Sequence, residues 1–133
     1  MRLCGQQAVW NYEEENGLIT IQGVGAMEDY TEPEQVPWNS LMQEIKVVVI
    51  RDGITTVGDY AFAGCSNLQE VTLPGSVEIV GVFSFKGCTG LREIVIPEGV
   101  RVLASKAFQF CSALKKVYLP STLIDVDMRA FGK

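Results

Sequence analysis

Phe62, Phe85, Phe108 and Phe131 stand 23 residues apart, and the apolar residues around each of them recur at the same spacing. Aligned on that period, Ile45, Leu68, Leu91 and Leu114 fall in one column, Val48, Val71, Ile94 and Val117 in a second, and Ile50, Leu73, Ile96 and Leu119 in a third. Ile54/Val77/Val100/Leu123, Val57/Val80/Leu103/Val126 and the phenylalanines make three more. In a chain that is 47% apolar, filling every cell of such a table by chance has odds of about 10⁻⁸ before allowing for the choice of columns. A self-similar period of this size is the signature of a solenoid, in which no unit can bury its apolar face alone and stacked units share one continuous core.

Repetition also accounts for a mean hydropathy of +0.18. No apolar run approaches the roughly 18 residues that would span a bilayer, so the surplus is core rather than membrane segment. The chain's 133 residues fit one domain. Met1-Arg2-Leu3-Cys4 lacks an apolar stretch, so no signal peptide is read there, and Leu3 before Cys4 is only the faintest lipoprotein-type site. The net charge of −5 is uneven, with −7 on residues 1–44 and +2 on residues 45–133. Scattered Lys and Arg on the repeat half make a solvated surface rather than a phosphate-tracking stripe, which argues against nucleic acid.

Each repeat opens Leu-x-x-Val-x-Leu-Pro, as in Leu68 to Pro74, Leu91 to Pro97 and Leu114 to Pro120. The alternation at Val71 and Leu73 predicts a strand with one buried face. Pro74, Pro97 and Pro120 have no N–H to donate and should stop the ladder at the same place in every coil. The segment Asp59-Tyr60-Ala61-Phe62 and its counterparts predict a short 3₁₀ or helical turn that plugs the phenylalanine into the core.

The spelling Ala61-Phe62-Ala63-Gly64-Cys65-Ser66-Asn67-Leu68-Gln69-Glu70-Val71-Thr72-Leu73-Pro74 resembles the BspA-like leucine-rich repeat of bacterial surface proteins. That likeness covers residues 45–133. Cys4-Gly5, Trp10, Gly17 to Ile21, Gly23 to Met27 and Pro37-Trp38 are similar to the capping region of such proteins. The fold expected is an α/β-type repeat solenoid with 23-residue coils of short strands joined by turns or short 3₁₀ and helical segments. Residues 1–44 would form an N-terminal capping region, followed by repeats at 45–67, 68–90, 91–113 and an incomplete 114–133. Two departures stand out. Gly58 and Gly81 become Ala104 and Asp127, and Gly64 and Gly87 become Phe110 and Lys133, so the last coils are expected to turn differently.

In the leader, Ala8 to Tyr12 and Leu18 to Gln22 are β-prone runs joined through Asn16-Gly17, a strong hairpin signal. A hairpin there would cover the open core of the first coil. Glu28 to Pro37 reads as an acidic surface loop pinned by Trp38.

Candidate chemistry is sparse. Without a single histidine, the chain lacks the commonest general base and the histidine-based triads and metal sites. Cys65, Cys88 and Cys111 would sit one coil apart, about 4.8 Å along the stack, among Phe and Leu; that setting predicts buried, inert, reduced thiols. Cys4 has no periodic partner. The carboxylates of Glu13 to Glu15 and of Glu28, Asp29, Glu32 and Glu34 lack the calcium-loop spelling and read as a solvated turn and loop. A carboxylate-based hydrolase is the distant alternative. No cofactor and no metal is indicated.

What remains is a surface. Residues between the core positions of each strand should point outward: Val47, Glu70, Glu93 and Lys116 in one column, Val49, Thr72, Val95 and Tyr118 in the next. The leading expectation is a non-enzymatic module that binds a protein partner through this stacked face. The alternative is a structural spacer or capping fragment of a longer surface protein. The family resemblance implies extracellular or cell-surface use, in adhesion to host or partner proteins, without membrane insertion. Leu114, Val117, Leu119, Leu123, Val126 and Phe131 belong to a stack whose next layer is missing, which predicts either a longer array or a homodimer through the C-terminal coil.

Overall fold

The computed structural model describes residues 2–127 and 129–132. Its strands are β1 (Ala8–Glu13), β2 (Leu18–Gly23), β3 (Gly25–Ala26), β4 (Val47–Ile50), β5 (Ile54–Val57), β6 (Glu70–Thr72), β7 (Ile79–Val80), β8 (Glu93–Val95), β9 (Val102–Leu103), β10 (Lys116–Tyr118) and β11 (Asp125–Val126). Pro33–Gln35 and Asn39–Leu41 are 3₁₀ turns in the leader.

β1 and β2 pair antiparallel, with Trp10 opposite Ile21 and Glu13 opposite Leu18. Gly17 closes their turn at φ 63°, a left-handed conformation that glycine adopts without a Cβ clash. β2 runs parallel to β4, with Leu18 beside Val47 and Ile21 beside Ile50. β4 pairs with β6 in the same sense. β8 and β10 form their own parallel pair, Glu93 beside Lys116. β6 and β8 lie side by side, yet no ladder joins them, so this face is interrupted by a seam.

A second sheet, which the sequence pattern did not single out, runs β11-β9-β7-β5-β3 without that interruption. Thr56 lies beside Ile79 and Ile79 beside Val102. Each coil thus gives one strand to each sheet, and its third side is the turn that carries the phenylalanine.

That third side corrects the α/β-type expectation. The segments around Phe62, Phe85 and Phe108 are turns, and the described residues hold strands with little helix. The physical reason is an alternation of amides. Those of Ala61, Ala63 and Cys65 turn back on Gly58, Tyr60 and Phe62, while those of Tyr60, Phe62 and Gly64 donate forward to Val82, Ser84 and Lys86 in the next coil. Tyr60, Phe83 and Lys106 sit at φ 64°, 58° and 58°, and a left-handed residue in each turn cannot be part of a right-handed helix.

The expectation that the last coils turn differently is also corrected. Phe110 takes φ 64°, like Gly64 at 86° and Gly87 at 75°, and its amide still donates forward, to Gly132. Ala104 and Asp127 accept from Ala107 and Ala130 as Gly58 accepts from Ala61. Glycine is needed at Gly58 only because a Cβ there would strike the Glu28 carbonyl oxygen. Lys133, the remaining departure, lies outside the described residues.

The core follows the periodic columns. Phe62, Phe85 and Phe108 are fully buried, their rings stacked at 5.4 and 5.3 Å. Trp38 heads the stack 5.4 Å from Phe62 and donates its indole N–H to the Ala61 carbonyl at 2.8 Å. Phe131 ends it, 5.2 Å beyond Phe108 and 38% exposed. In the same coil Leu119 and Val126 occupy core columns yet are exposed.

Two neighbouring residues in one turn should respond in opposite directions. Phe85→Ala removes a central ring of the stack and should destabilise by about 3–5 kcal/mol. Ser84 occupies a column that is otherwise Ala61, Ala107 and Ala130, and its buried hydroxyl has no hydrogen-bond partner. Ser84→Ala should therefore stabilise by about 1 kcal/mol. Denaturant melts of both variants check the pair of signs.

Candidate binding face

Alternation along β4, β6, β8 and β10 sends Val48, Val71, Ile94 and Val117 toward the core and leaves the residues between them on the outer side. Glu70, Thr72, Glu93, Val95, Lys116 and Tyr118 are exposed, with Val95 at 54% and Tyr118 at 51%. Val47 and Val49 are half-buried, because β2 and β6 flank them and Leu18 and Thr20 stand directly beside them.

The sequence reading missed that the hairpin extends this face. Opposed residues of an antiparallel pair share a side, so the first column runs Glu13, Leu18, Val47, Glu70, Glu93, Lys116. The second runs Asn11, Thr20, Val49, Thr72, Val95, Tyr118. The likeness of Leu18-Ile19-Thr20-Ile21 to Val47-Val48-Val49-Ile50 was the available signal. The face passes from acidic at the hairpin to basic at the far coil. A groove of about 690 Å³ there is lined by Arg92, Glu93, Ala113, Lys115 and Lys116. A second, of about 540 Å³, spans the seam between Asn67, Gln69 and Gly90, Arg92. Among the described residues the basic side chains of this face make no ion pair with the protein, so their charge is available to a ligand.

The acidic leader is anchored more firmly than a surface loop. Tyr30 and Val36 are buried, and the Asp29 carboxylate accepts the Asp59 amide at 2.9 Å. Asp59 in turn accepts the Val82 amide at 2.8 Å. Burial pushes the Asp59 carboxyl up, opposed by that amide, with the Asp29 charge adding to the rise. These carboxylates tie the leader to the first two coils.

The thiols are unbridged. The Cys65 sulfur lies 3.4 Å from the Met42 sulfur, and Cys88 and Cys111 donate to the carbonyls of Phe62 and Phe85 at 3.4 and 3.1 Å. Burial pushes Cys65 up to about 12. Cys88 is raised by the neighbouring Cys111 thiol and by burial, whereas Cys111 departs from the buried, inert setting expected of it: it is only half-buried, and the neighbouring Cys88 lowers its thiol. Cys4, ambiguous in sequence, is buried beneath the hairpin, its amide bonded to Ala8 and its carbonyl to the Glu28 amide. Burial first, and then the Glu28 charge, raise its thiol to about 12.

Residues 40–133 match the family described as the BspA type leucine rich repeat region, in six copies. The chain belongs to this family. A leucine-rich repeat protein from Bacteroides ovatus ATCC 8483 is 32% identical over 63% of the chain, with a TM-score of 0.60. One from Eubacterium ventriosum ATCC 27560 is 23% identical over 93% of it, with a TM-score of 0.71. A leucine rich cell surface protein from Faecalibacterium prausnitzii A2-165 is 21% identical over 98%, with a TM-score of 0.56. The last two likenesses are of fold. The chain spans 21%, 38% and 46% of these three relatives, so each is much longer than this BspA-type segment. No curated protein matches it.

The thiol environment makes a prediction with a definite sign. A pKa raised in the native state means that only the unfolded chain ionises above its ordinary value. Stability should therefore be insensitive to Cys4 and Cys65 below pH 9 and fall as pH rises from 9 toward 12. Urea melts across that range should show the decline, and Cys65→Ala should make it shallower. In the native state at neutral pH, Cys4, Cys65 and Cys88 should react with a thiol reagent only at the rate of unfolding.

Proposed function

We propose that the chain is a non-enzymatic recognition module of a secreted or cell-surface bacterial protein, built from 23-residue coils and capped at its N-terminal end by the β1–β2 hairpin. A protein partner docks on the face made by Val47, Val49, Glu70, Thr72, Glu93, Val95, Lys116 and Tyr118. The observation that carries this reading is the exposure of Val95 and Tyr118 in one in-register column, beside the cations of Arg92, Lys115 and Lys116, which make no ion pair among the described residues. An exposed aromatic anchor with flanking Arg and a polar surround is the composition of interface hot spots. The surface assignment is supported by the Faecalibacterium prausnitzii relative, itself a leucine rich cell surface protein.

Binding to a panel of immobilised extracellular-matrix proteins, measured by biolayer interferometry, tests the reading. Val95→Glu with Tyr118→Glu should weaken the wild-type interaction at least about tenfold while altering stability by less than about 1 kcal/mol. Wild-type protein that binds nothing in such a panel would favour a ligand-free spacer instead.

A further inference from the structure

The turn side of the solenoid carries an arrangement that the strand-face reading does not use. Tyr60 and Phe83, in successive coils, pack with ring centroids 5.0 Å apart. Two ammonium groups rest on the same Phe83 ring, Lys86 at 4.8 Å and Lys106 at 5.7 Å from its centroid. Lys86 also lies 5.8 Å from the ring of Phe110. Neither lysine has an acidic partner among the described residues. The ring quadrupole holds each ammonium group without neutralising its charge, which stays available to an anion.

Lys86 lines a groove of about 500 Å³ together with Asn39, Ser40, Tyr60, Gly64 and Gly87. A Cβ on Gly64 would meet nothing within 4 Å, so the groove is open there. The Asn39 and Ser40 side chains make no hydrogen bond to the described residues. The backbone here is closed to strand addition, since the amides of Tyr60, Phe62 and Gly64 already bond the next coil. An extended peptide that binds by adding a strand therefore gains nothing on this side. A ring-shaped polyol with an acidic group matches this lining: its apolar face against Tyr60, its hydroxyls toward Asn39 and Ser40, its anion at Lys86.

We propose that this turn-side groove binds an acidic saccharide of the uronate class, independently of the strand face. Tyr60 supplies the stacking surface, Lys86 binds the carboxylate, and Phe83 acts as a positioning residue that holds the Lys86 ammonium group.

Calorimetry with a short oligogalacturonate, its fully methyl-esterified neutral form and poly-glutamate tests the assignment. The acidic sugar should bind at least about tenfold more tightly than either. Lys86→Gln should remove the preference for the acidic over the neutral sugar. Tyr60→Asn should weaken both sugars alike. Phe83→Asn, a replacement that tolerates the left-handed φ, should lower the acid preference although Lys86 remains. Val95→Glu with Tyr118→Glu should change none of these values. The proposal fails if the acidic and neutral sugars bind equally or not at all, or if poly-glutamate binds as tightly as the uronate. It fails equally if Phe83→Asn leaves the preference intact, or if the strand-face double variant abolishes binding.

Discussion

On the turn side every second amide must find its acceptor in the following coil, and that requirement sets the distance between coils for the rest of the molecule. Tyr60, Phe62 and Gly64 reach forward while Ala61, Ala63 and Cys65 close their own turns. The same spacing is then imposed on the phenylalanines, whose rings stack at 5.2–5.4 Å, and on both sheets. A coil cannot satisfy these amides by itself, and neither can it bury its phenylalanine by itself. Polar satisfaction and apolar burial thus demand the same neighbour, which is why the stack is cooperative.

Much of this was legible in the sequence because identical layers write identical letters. The phenylalanine column, the inward valines and isoleucines of β4, β6 and β8, and the outward pairs such as Val95 and Tyr118 all follow from period and alternation. The absence of helix from the turns around Phe62, Phe85 and Phe108 was not legible. Left-handed φ at Tyr60, Phe83 and Lys106 is dictated by inter-coil hydrogen bonding, and aromatic and lysine side chains give no local sign of it. The second sheet was obscured because Ile79–Val80 and Val102–Leu103 are two residues long, too short for any alternation to declare itself.

The leader hid its role for a different reason. Trp38 stacks on Phe62 as though it were one more ring of the column, but it is a different residue type and stands 24 positions before Phe62 rather than 23. Asn11, Thr20 and Leu18 join the strand face through hairpin register, which obeys β pairing and not the repeat. The candidate face was therefore found along its periodic part and missed where the chain doubles back.

The seam between β6 and β8 gives the molecule a direction of compliance. The second sheet and the turn side both bridge these two coils, through Ile79 beside Val102 and through the amides of Phe83, Phe85 and Gly87, while the strand face has no ladder there. Two of the three walls act as a spine and the third as the fore-edge of a book. Bending that widens the strand face at this point works against side-chain packing and not against a strand ladder, whereas bending between β4 and β6 or between β8 and β10 must pull a ladder apart.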